Sequence, residues 1–85
     1  MSPDKFKAIR EKLGLTQTEL AETFGFAGRQ PISHIETGFR TPSFIYQTLM
    51  SILDSLPERK ATELVELLSE HMKKVKRQAK AKSDE

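Results

Sequence analysis

"LTQTELAETFGFAGRQPISHIETG", residues 15–38, holds three glycines and a proline, yet it reads as two short helices and not as a loop. Thr16 with Glu19 three residues on is a capping box, in which each residue satisfies a backbone amide at the other's position. Leu20, Ala21 and Phe24 give the first helix its buried stripe, and Gly25 supplies the left-handed residue that closes it. Gly28 is then expected as a cap. Arg29, Gln30 and Pro31 form the first turn of the next helix, where the missing amide of proline costs nothing. Ile32 and Ile35 face inward and Gly38 ends the helix. With only two isoleucines anchoring it, this helix presents Arg29, Gln30, Ser33 and His34 on its outward or leading faces.

The same punctuation organises the rest of the chain. Ser2, Pro3 and Asp4 start a helix over about 3–13, with Phe6, Ile9 and Leu13 at helical spacing and Gly14 as its stop. Thr41, Pro42 and Ser43 precede a fourth helix whose expected apolar stripe is Ile45, Leu49, Ile52, Leu53 and Leu56, flanked by Phe44 and Tyr46. After Pro57, a fifth helix repeats Ala61, Leu64, Val65, Leu68, Met72 and Val75 every three or four residues and runs to about Ala79. The fold class is therefore all-α, with five helices and an extended C-terminal one. The expected organisation is a helix-turn-helix unit over 1–56, a C-terminal helix over 57–79 that dimerises, and a disordered basic, polar tail over 80–85.

A chain of 85 residues accommodates one domain with a small core. It has no cysteine, so neither a disulfide nor a thiolate metal site contributes to stability, and a reducing compartment is expected. No apolar run approaches the roughly 20 residues needed to span a bilayer, and "MSPDKFK" lacks the apolar stretch of a secretory signal; the expectation is a soluble, cytoplasmic protein without a membrane partner. The net charge is only +2, but it is unevenly spread. Lys73 to Lys82 contains six basic residues and no acidic one, whereas Pro57 to Met72 carries Glu58, Glu63, Glu66 and Glu70 against Arg59 and Lys60. The basic block reads either as a solvated helix end or as a nucleic-acid contact.

Enzymatic readings fail on geometry. Ser33 and His34 are adjacent, so on a helix they point about 100° apart and cannot act as nucleophile and base. His71 has no partner at metal-ligand spacing, and no glycine-rich phosphate loop follows a strand. No catalytic residue, metal or cofactor is expected.

A helix closed by glycine, a brief turn and a short helix with an exposed leading end together describe a helix-turn-helix, which places the second helix in the major groove of duplex DNA. At this point the sequence resembles the Cro and lambda-repressor-like proteins, the XRE family, through "LGLTQTELAETFG" and "ISHIETGFRTPS" over roughly residues 5–55. Leu15, Thr16, Gln17, Glu19, Leu20, Ala21, Gly25, Ile32, Ser33, His34, Ile35, Glu36, Gly38, Arg40 and Pro42 carry the match. The turn between Gly25 and Ile32 is one residue longer than in the commonest form of the family, with Ala27 and Gly28 where a single serine usually caps.

The resemblance implies a sequence-specific regulator of transcription with double-stranded DNA as its partner. In it, Arg29 and Gln30 meet base edges, followed by Ser33 and His34; an arginine on guanine or a glutamine on adenine is worth about 1–3 kcal/mol of discrimination. Thr16, Gln17 and Arg40 meet backbone phosphates, which add affinity without sequence information. Arg10 and Glu36 form a partly buried structural salt bridge. Leu64, Leu68, Met72 and Val75 are expected at a homodimer interface, because their stripe exceeds what a four-helix core of this size covers; the other reading of that stripe is a helix folded back on its own domain. A dimeric repressor would read an inverted repeat. The alternative is an antitoxin or interaction module of the same fold, whose C-terminal helix binds a partner protein such as a toxin.

Overall fold

The computed structural model describes the backbone of residues 1–83 and the side chains of residues 1–78. The described chain is all-helical: α1 (Pro3–Lys12), α2 (Gln17–Phe24), α3 (Gln30–Glu36), α4 (Phe44–Ser55) and α5 (Glu58–Ser83). Of the tail expected over 80–85, the side chains and residues 84–85 lie outside the described residues.

Helix boundaries follow the local signals closely. Ser2 accepts the Lys5 amide at 3.1 Å to cap α1. Thr16 and Glu19 make both halves of the capping box, at 3.1 and 3.0 Å. Gly25, at φ +81°, ends α2, and the Phe26 amide reaches back to the Ala21 carbonyl at 2.8 Å. At α3 the N-cap is Arg29, with helical backbone angles and no side-chain cap bond, so the expectation of Gly28 there is corrected by one position. Pro31 still falls in the first turn, where its ring is tolerated.

Phe6, Ile9, Leu20, Ala21, Phe24, Ile32, Ile35 and Met50 form the core, which α1, α2, α3 and α4 jointly enclose. Phe24, Phe26 and Tyr46 pack together at the edge of this core, with the ring centroid of Tyr46 5.0 Å from each phenylalanine and the two phenylalanines edge to face. That cluster decides how α4 is rotated. Tyr46, Leu49, Met50 and Leu53 turn inward, while Ile45 and Ile52 of the expected stripe are 63% and 42% exposed and Phe44 is fully at the surface. Two apolar stripes overlap on α4 at helical spacing, and periodicity alone cannot choose between them.

Helix α5 folds back along α2, its most extensive partner. Ala61 is buried, and Leu64, Val65, Leu68 and Met72 are half-buried, whereas Leu67 and Val75 are 51% and 58% exposed. Thr23, a buried polar residue on α2, donates its hydroxyl to the Glu19 carbonyl at 2.9 Å and shares a 3.0 Å hydrogen bond with Ser69 of α5. Gly25 is also where α5 comes closest to the turn: a Cβ there would lie 3.0 Å from Met72 Sδ.

Candidate nucleic-acid interface

Helix α3 has seven residues and buries only Ile32 and Ile35. Their spacing leaves a wide outer face. Arg29 and Gln30 are exposed at its leading end, Ser33 and His34 are half-buried one turn on, and Thr37 is exposed at its close. The sequence reading omitted Thr37, although it lies four residues after Ser33 and so continues the same face. It also omitted Phe39, 81% exposed, whose ring centroid is 5.0 Å from that of His34. The imidazole is therefore held against an aromatic ring instead of standing free.

So short a helix is positioned from outside. Arg10 Nε and Nη2 donate to the two carboxylate oxygens of Glu36 at 2.6 and 3.0 Å, a bidentate pair whose side chains are 11% and 4% exposed. Arg10 Nη1 donates to the Leu15 carbonyl at 2.8 Å, and Gln17 Nε2 donates to Glu36 Oε1 at 3.2 Å. Four segments are thus tied together: α1, the α1–α2 link, the start of α2 and the end of α3. The hydrogen bond to Glu36 raises the Arg10 pKa above its ordinary value against the opposing effect of burial, so the guanidinium stays charged at any pH the fold meets. Planar, forked donors suit this role better than an ammonium would.

Gln17 consequently has a bond inside the protein. Beside it, the Thr16 hydroxyl is occupied by the Glu19 amide, while the Gln17 and Thr18 amides of the first turn of α2 have no acceptor among the described residues. Free amides at the positive end of a helix suit an anion. Beyond α3, Gly38 at φ +82° reverses the chain and the Arg40 amide donates to the His34 carbonyl at 3.0 Å, leaving the Arg40 side chain exposed. No group of three or more residues able to hold a metal ion occurs among the described residues, and none of their helices is long and apolar enough to cross a membrane.

Comparison with known proteins agrees with this geometry. The helix-turn-helix family model matches residues 6–46, which span α1, α2, α3 and the start of α4. No curated protein and no solved structure matches the chain. Domains of the matched family bind DNA and are typically non-enzymatic, and the helical arrangement is consistent with the lambda-repressor-like fold. Residues 6–46 thus match the helix-turn-helix family model of the XRE, Cro/C1 type.

Proposed function

We propose that the protein is a sequence-specific regulator of transcription that reads double-stranded DNA through α3 and acts as a small dimeric repressor on an inverted repeat. The observation that carries this reading is the exposed leading end of α3, with Arg29 and Gln30 unoccupied by the fold, on a helix whose other end is clamped by the Arg10–Glu36 pair. Arg29 and Gln30 make the first base contacts, and Ser33 and His34 the next. The start of α2, with Thr16 and Gln17, receives one phosphate, chiefly through its free backbone amides, and Arg40 receives another.

Dimerisation is assigned to α5. Its Leu64, Leu68 and Met72 are already half-covered by their own chain, so the surface left for a second copy centres on Val75 and Leu67. A two-fold axis there would set two copies of α3 on half-sites one duplex turn, about 34 Å, or a multiple of it apart.

Selection from a random duplex pool at about 150 mM salt, where purely electrostatic binding is weak, tests the reading. Enrichment of an inverted repeat is the expected result. Enrichment of a single half-site would remove the dimer from the proposal, and no enrichment from folded protein would remove DNA reading altogether.

A further inference from the structure

On the side of the molecule made by the end of α1, α2, the end of α4 and α5 there is a groove of about 520 Å³. No residue of α3 or of the turns flanking it lines this groove. Its floor is apolar: Leu13, Leu15, Leu53, Leu56, Ala61 and Val65. Its rim carries five exposed carboxylates, Glu19, Glu22, Glu58, Glu66 and Glu70. The single basic lining residue, Lys12, already donates to Asp54 Oδ1 at 3.1 Å, so the rim is not neutralised from within.

We propose that this groove receives a cationic amphipathic helix from a partner protein, its apolar face on the leucines and its lysines or arginines against the rim. A helix laid in a groove uses apolar anchors at i, i+3, i+4 and i+7, and flanking charges opposite to the rim select it. The polar groups of the floor, Thr23 and Ser69, are bonded to each other, so the floor offers nothing unmet to a polar ligand. Phosphate chains are repelled by the five carboxylates, which separates this surface from DNA reading. The basic block of the same molecule cannot reach back, because it continues α5, the helix that forms one wall of the groove. A second copy's basic block fits poorly: between Lys73 and Lys82 the only large aliphatic residue is Val75, too little to cover the leucines.

The test uses the full chain and a synthetic peptide of about 16 residues, long enough for helix formation, with leucine at i, i+3, i+4 and i+7 and lysine elsewhere. A control peptide replaces every lysine by glutamate. Titration followed by amide chemical shifts is expected to move Leu13, Leu15, Thr62 and Val65 but not Gln30 or Ser33, with the lysine peptide only. The Glu66→Gln, Glu70→Gln protein, altered at two exposed sites that the fold does not need, is expected to bind it about tenfold more weakly. Equal binding of the two peptides, shifts confined to other surfaces, or unchanged affinity of the variant would overturn the proposal. So would a fall in the unliganded protein's sedimentation mass from dimer to monomer in that variant, since the occupant would then be a second copy. Binding of the selected duplex by the variant is scored separately, so failure of the groove and failure of DNA reading are distinct results.

Discussion

Glu36 accepts three donors, two from Arg10 and one from Gln17, in a place where its side chain is 4% exposed. Glu36→Ala would leave the Arg10 guanidinium charged and without its partner, and is expected to cost about 3–5 kcal/mol in urea unfolding. Arg29 is the opposite case, a residue that the fold does not use. Arg29→Ala should leave the unfolding midpoint unchanged while losing about 1–3 kcal/mol of discrimination at one base pair, measured on duplexes varied at each position of the selected site. At Gly25 the left-handed backbone and the Met72 sulfur act together; Gly25→Ala is expected to destabilise by about 1–2 kcal/mol, read from the same unfolding curves. The first residue pair and the glycine were legible in the sequence, the glycine from its position at a helix end and the pair through the family pattern. The Gln17 bond to Glu36 and the contact of Phe39 with His34 were not, because they depend on how α2 and the turn after α3 lie against the end of α3.

Elements were more legible at their ends than in their rotation. Caps and glycine stops act within three or four residues, so the starts of α1 and α2 and the ends of α2 and α3 could be read directly. The rotation of α4 could not, since Ile45, Leu49 and Ile52 repeat as well as Tyr46, Leu49, Met50 and Leu53 do, and only the Phe24–Phe26–Tyr46 cluster separates them. The consequence is measurable. Met50→Ala, at a fully buried side chain, should cost about 2–5 kcal/mol, whereas Ile45→Ala, at a largely exposed one, should change the urea midpoint little. A larger effect at Ile45 than at Met50 would mean that the stripe expected from periodicity is the buried one.

At the scale of the whole molecule, charge and apolar surface are sorted by face. The basic side chains proposed to meet DNA lie on and after α3, the carboxylates gather around the groove bordered by α5, and the outward apolar residues of α5 are left for association. Val75→Asp tests that last assignment without touching the core: sedimentation should fall from dimer to monomer mass, and retention of the dimer would place the seam elsewhere. None of this sorting follows from a net charge of +2, which averages it away. The match to the family stops at residue 46, yet Met72 lies against Gly25 in the turn before α3, and the most extensive partner of α2 is a helix outside the match. Anyone transplanting the reading head into another protein would therefore have to carry α5 with it; cut at the family boundary, the graft would arrive with its pivot unbraced and one flank of its core open to water.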